Sequence, residues 1–383
     1  MLMASEALYA LAFRFRKAKL WNRLLDDELF AVQLSDGEIG YCCVMGQLGE
    51  HLSLALYVGE TGLQSYLRLA AAAARQEVEQ ELVWSQDCLQ CSFEDAEELN
   101  PADAKDARSF ALAQGVSLRG RFAYPLFSKY SPYRIPCAMS DALDFQRMGE
   151  ALEGALVLSE LLKSRGKEQL GFRRLRKEPE TLPLVVREDG KLTLRTAPMP
   201  SVEEPDWPAP ALENDVTVEK LRRAKRVRAM ECQVVMLPSP VEDPQGGPPR
   251  FPFMLLSALV DEAELLNLPV VDDYAASAAD LLGYFAEAVA KDGRVPASIL
   301  VPDARTEALF HGFCARVGVE LRRVEELTIL DEVRDNMLSQ LGEGEDGEAE
   351  AEDELSHEET ALRRLQELSA AFDAMYGGFG PEN

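Results

Sequence analysis

Hydrophobic positions recur with two different periods along this chain, and the change of period marks its elements. Over residues 4–25, Leu8, Leu11, Phe15, Ala18, Trp21 and Leu25 return at helical spacing, which predicts an amphipathic helix. Alternation then takes over. Phe30, Val32 and Leu34 form one run, Ile39, Tyr41, Cys43 and Met45 a second, and Leu52, Leu54, Leu56 and Val58 a third. Asp36-Gly37 supplies a tight turn between the first two. Such period-two patterning predicts an antiparallel meander with one covered face.

Past Gly59–Gly62, an Ala- and Leu-rich stretch predicts a helix to about Glu79. Leu89, Cys91 and Phe93 suggest a further strand, and residues 102–114 a shorter helix. The Pro- and aromatic-rich segment 122–140 is expected to be an ordered loop. Ser140 then caps a long helix that Gly166 ends. Asp189-Gly190 turns a short hairpin at 184–195, and Pro and acidic residues make 197–215 a linker.

Beyond Val216 the pattern predicts a basic helix, then strands at Cys232–Leu237 and Phe253–Val260. Asp272 or Asp273 caps a helix running to about Lys291, with Gly293 as its stop. A strand at Ile299–Val301, a helix presenting Leu309, Phe313 and Val317, and a strand at Val319–Val324 predict a βαβ unit with parallel strands.

The expected fold class is therefore α+β: an antiparallel sheet with helices in the first domain, and a small α/β second domain containing the βαβ unit. The expected boundaries are 1–166 for the first domain, 167–215 for a basic, Pro-rich linker with the hairpin, and 216–340 for the second domain. An acidic disordered segment, 341–357, and an amphipathic tail helix, 358–376, follow. Leu362, Leu365, Leu368, Phe372 and Met375 share one stripe of that helix, which asks for the chain's own second domain, a protein partner or self-association to cover it.

Composition adds limits. The chain has 383 residues, of which 47% are hydrophobic, enough for packed cores. Its longest apolar run, Phe251 to Val260, is half the length a membrane-spanning helix requires, so no membrane partner is expected. The first residues lack the order of a secretory signal, and seven cysteines are too few and odd in number for a disulfide framework. Both point to the cytoplasm. The net charge of −26 repels nucleic acid on average.

The candidate chemistry is sparse. His51, His311 and His357 are scattered, which argues against a His-based triad or metal centre. Cys88-Leu-Gln-Cys91 has redox or zinc spacing, but residues i and i+3 of a strand face opposite ways, and Cys91 suits a core thiol. No nucleophile elbow, phosphate loop or dinucleotide fingerprint occurs. No catalytic residue, metal ligand or cofactor is therefore assigned.

Two features stand out as candidate binding surfaces. The first is the aromatic and basic segment containing Arg121, Tyr124, Phe127, Tyr130, Tyr133 and Arg134, which could stack bases, grip a peptide, or plug the sheet. The second is the basic run Lys220–Arg228, with Arg222 and Arg226, expected to ring a helix. Its alternatives are phosphate contact and pairing with the protein's own acids, the stretch 343–359 included.

Pro125, Phe127, Tyr130, Pro132 and Pro136, with Ser140 opening a long helix, resemble a group of uncharacterised bacterial proteins built from two domains of unknown function. Pro296 through Asp303, the helix after it and Gly318-Val319 resemble the βαβ element of the same group. Tyr133 and Cys137 stand where that group tends to carry Gly and Trp. The resemblance spans most of residues 5–335. It implies a two-domain division and transfers no activity.

The functional expectation is a non-enzymatic binding or adaptor protein with a protein partner. One alternative is a metal-dependent hydrolase or nuclease-like enzyme using Asp272, Asp273 and Asp303; another is nucleic-acid binding through residues 220–228.

Overall fold

The computed structural model describes residues 6–260, 264–266 and 270–334. The expected acidic segment and tail helix, with Leu362, Leu365 and Phe372, lie outside the described residues. Two compact units divide the described chain, one up to Glu203 and one from Glu204.

The first unit opens with α1 (Glu6–Ala18) and the meander β1 (Phe30–Gln33), β2 (Ile39–Met45) and β3 (Ser53–Val58). Then come α2 (Gly59–Arg75), α3 (Gln80–Trp84), β4 (Cys88–Glu94) and α4 (Pro101–Ala113). β5 (Tyr124–Tyr130), β6 (Cys137–Ala138), α5 (Ala142–Leu161) and the hairpin β7 (Thr181–Glu188) and β8 (Lys191–Pro198) complete it. Its eight strands run in the order β6-β5-β4-β3-β2-β1-β7-β8. All neighbours are antiparallel except β1 and β7.

Four expectations change here. The cap of α5 is Asp141, whose side chain accepts from the Leu143 N–H, and not Ser140. The segment after Phe122 is not a loop: β5 pairs with β4 from Tyr124 to Tyr130. β6 covers only Ser128 and Lys129, so Pro125 sits where the far side of β5 has no ladder to lose. The hairpin also joins the first sheet through β1, within the span read as a linker. Finally, both faces of the central strands are covered. Cys42, Val44, Leu54, Leu56 and Cys91 pack with α1 and α5 in one core. On the other face Tyr57 meets Tyr66 of α2, ring centroids 5.0 Å apart. The alternation was real, but tyrosine and cysteine on the second face are apolar enough to be buried as well.

Close approach of α5 to the sheet depends on Gly154. A Cβ there would lie 2.7 Å from Val32 Cγ2, inside van der Waals contact.

The second unit contains α6 (Asp215–Arg223), β9 (Lys225–Met236), β10 (Phe253–Leu259), β11 (Glu264–Leu265) and β12 (Val270–Val271). α7 (Tyr274–Asp292), β13 (Arg294–Val301), α8 (Ala304–Val317) and β14 (Glu320–Arg323) follow. The sheet order is β11-β10-β9-β13-β14, with β12 also on β10. β13 and β14 are parallel across α8, the expected βαβ unit. The basic run 220–228 departs from its expected helix: α6 stops at Arg223 and β9 begins at Lys225. β9 lies between β10 and β13: its first half, Lys225 to Glu231, pairs with β13 and its second half, Met230 to Met236, with β10, and the ladder to β13 outweighs a helical preference carried by charged residues alone.

Candidate functional site

Strand register assembles an open cleft in the first unit. Gly40 pairs with Val58, so the residues two places beyond each, Glu38 and Glu60, come to the same end of the β2–β3 pair. A Cβ built on Gly59 would meet Glu38 Oε2 at 3.0 Å, which confirms the approach. Gly59 itself has φ of +66°, a conformation glycine adopts without strain, and it turns the chain from β3 into α2. Asp87 precedes β4, and Lys129 of β5 pairs with Leu89 across it. Asp144 and Arg147 reach in from the first turns of α5.

The cleft measures about 340 Å³ and is lined by Glu38, Glu60, Asp87, Lys129, Tyr130, Asp144 and Arg147 among others. Lys129 Nζ donates to Asp144 Oδ2 at 2.7 Å, and that carboxylate is almost fully buried. Arg147 pairs with Asp36 at 2.7 Å. The two cations are thus already committed. Glu38, Glu60 and Asp87 have no ion pair within 4.0 Å among the described residues. Burial pushes the Asp87 carboxyl above the ordinary aspartate value; Lys129 draws it back down and Asp144 pushes it up again.

Of the candidate binding residues read from the sequence, only Tyr130 lines this cleft, and Cys88 of the Cys88–Cys91 pair lines it too. Tyr124, Phe127 and Tyr130 are buried, so these rings are sheet packing. Phe127 meets Tyr9 edge-on at 5.4 Å, and Arg108 lies 5.6 Å from the Tyr124 ring. Arg121 is exposed over Phe122 and 3.7 Å from Asp95. Tyr133 is half-buried in a left-handed backbone conformation, its N–H donating to Trp84 O at 2.7 Å. Arg134 is half-buried in the same turn, its N–H donating to Ser131 O.

Arg222 and Arg226 lie in the second unit, on the end of α8. Arg222 Nε donates to Arg316 O at 2.9 Å and Arg226 Nη2 to Val317 O at 2.9 Å. These are carbonyls of the last turn, which the helix cannot satisfy itself. The basic start of the expected linker is similarly used: Arg174 holds Asp27 at 2.7 Å and Lys167 holds Glu28 at 2.8 Å.

Two of the three carboxylates of the hydrolase alternative are helix caps. Asp273 accepts from the Ala276 N–H and Asp303 from the Thr306 N–H, while Asp272 points to solvent. Among the described residues, no three His, Cys, Asp or Glu side chains gather as metal ligands would. All seven cysteines are free thiols. Cys91 sits in the core facing α5, and burial pushes the Cys88 thiol up. No described helix is long and apolar enough to cross a membrane.

The cleft residues escaped the sequence because acids are too common here for any to stand out. The usable signal was indirect: the Asp36-Gly37 turn and the Gly59 helix start place two acids at neighbouring loop ends. Only the register joins them.

Two sheet-and-helix units joined in one chain, each with its own core, define a two-domain protein of mixed α/β content. Both parts match family models. Residues 6–176 match a domain of unknown function, DUF7309, and residues 217–338 match another domain of unknown function, DUF6930. The chain thus carries two domains of unknown function, one after the other. No curated protein matches the sequence.

Proposed function

We propose that the protein is a binding or adaptor protein whose first domain receives a cationic group, a lysine or arginine side chain of a protein partner, in the cleft between β2, β3, β4 and α5. One observation carries this reading: Glu38, Glu60 and Asp87 line one cleft with no ion pair among the described residues, while Lys129 and Arg147 are tied to Asp144 and Asp36. The cleft therefore presents surplus negative charge. A cation entering it would gain Coulomb energy with modest desolvation, because the cleft is open to water. The protein's negative field would also speed the approach of a basic partner.

The test is titration of a tetralysine peptide by calorimetry. The host is the full chain with its acids between 343 and 359 changed to Gln and Asn, so that this stretch does not take the peptide. Saturable binding that weakens with salt is expected, and E38Q/E60Q/D87N should reduce affinity at least tenfold. Binding that survives the triple change undiminished, or no saturable binding at all, would remove the proposal. Acid should weaken binding too. Because the Asp87 pKa is raised, the loss should begin at a higher pH than an ordinary aspartate would give.

A further inference from the structure

We propose that the acidic stretch 343–359 docks on the basic end of the protein's own second unit. The docking surface is where α6, α7 and α8 all finish, beside the first residues of β9 and β13. Hydrogen bonds define the cluster. Lys225 N–H donates to Gly293 O just past α7, and Arg222 and Arg226 hold the last carbonyls of α8. Lys220 lies in the last turn of α6 and Lys291 in the last turn of α7.

Local acids take part of this charge. Glu219 pairs with Arg223, Asp215 with Arg316 and Asp292 with Arg294. Lys220, Arg222, Lys225, Arg226 and Lys291 have no ion pair among the described residues. The three helix C-termini supply about half a negative charge each, which is too little to neutralise five cations. A positive surface therefore persists on a chain of net charge −26.

The stretch 343–359 holds ten acidic residues and no basic one except His357. It is also within reach. Glu231 accepts hydrogen bonds from the N–H groups of Thr328, Ile329 and Leu330, which places the end of the described chain beside the middle of β9. From Glu231 back to Lys225 is six strand residues, about 20 Å. From Arg334 to Glu343 the chain can span up to about 30 Å. Tethering then presents the acids at an effective concentration on the order of millimolar, ahead of any free polyanion. The stretch would thereby screen this surface from outside anions.

Zero-length carbodiimide cross-linking of the full chain, read by mass spectrometry, tests the contact. Isopeptide bonds from acids 343–359 to Lys220, Lys225 and Lys291 of the same chain are expected, and should fade above roughly 0.5 M salt. Bonds to lysines of the first unit instead, bonds only between copies in an isotope-mixed sample, or none at all would overturn the proposal. A second measurement uses a twenty-residue oligothymidylate as probe. Neutralising the ten acids should raise its affinity at least tenfold, and K220Q/K225Q/K291Q in that background should reverse the gain. Equal affinity of the native and neutralised chains would count against the docking.

Discussion

Asp26 is a carboxylate with little access to water. Its Oδ2 is buried without a hydrogen bond, and its own carbonyl accepts from Tyr66 Oη at 2.7 Å and Cys43 Sγ at 3.1 Å. Burial raises its pKa, and neighbouring Asp27 adds to the rise. A carboxyl whose folded pKa is raised binds its proton more tightly folded than unfolded. Its favourable contribution is present below the unfolded pKa and is lost as pH rises through the folded one. Asp26→Asn should therefore raise the melting temperature at pH 7 and leave it unchanged near pH 3. A buried cation makes the opposite case. The Arg305 guanidinium lies 5.2–5.8 Å from the Trp207, Phe253 and Tyr274 rings, and its Nη2 donates to Val234 O at 2.6 Å. Methionine would fill the space but lose the cation–π contacts and leave that carbonyl unsatisfied. Arg305→Met should cost roughly 3 kcal/mol in denaturant unfolding.

Elements touch through a few glycines, where one methyl group decides the fit. On α5, Gly154→Ala would gain about 1 kcal/mol of helix propensity. The new Cβ would press on Val32, a buried β-branched residue with little freedom to move, at a cost of about 1–3 kcal/mol. The net change should be destabilising, visible as a lower denaturation midpoint with the slope unchanged. On α8, Gly312 faces Pro210 O, 2.5 Å from where a Cβ would stand. Because the obstacle is backbone, Gly312→Ala should detach the segment around 207–212 and shift Trp207 fluorescence, while far-ultraviolet dichroism stays near native.

Two cores make two cooperative units. One gathers around Phe15, Phe93 and Leu152, and the second unit packs Phe285, Phe310 and Phe313 edge-on at 4.8–6.2 Å. Separate cores unfold separately unless a large interface couples them. Calorimetry should resolve two transitions, with Asp26→Asn moving one and Arg305→Met the other. A single transition displaced by both substitutions would show that the units melt together.

Much of this architecture was legible in the chain. The Asp36-Gly37 turn, the Asp303 cap, the Gly293 and Gly318 stops and the parallel pair across α8 are local consequences of residue chemistry, and each stands where the pattern put it. The strand status of Tyr124–Tyr130 and Lys225–Arg228 was not legible, because a partner strand outweighs what proline or a basic run prefers alone. The cleft was hidden for a related reason. Glu38, Glu60 and Asp87 are unremarkable acids until register sets them at one sheet end. Periodicity reports which positions want burial. Which distant charges share a space is decided only when strands choose their neighbours, since that choice is made by packing across the whole sheet.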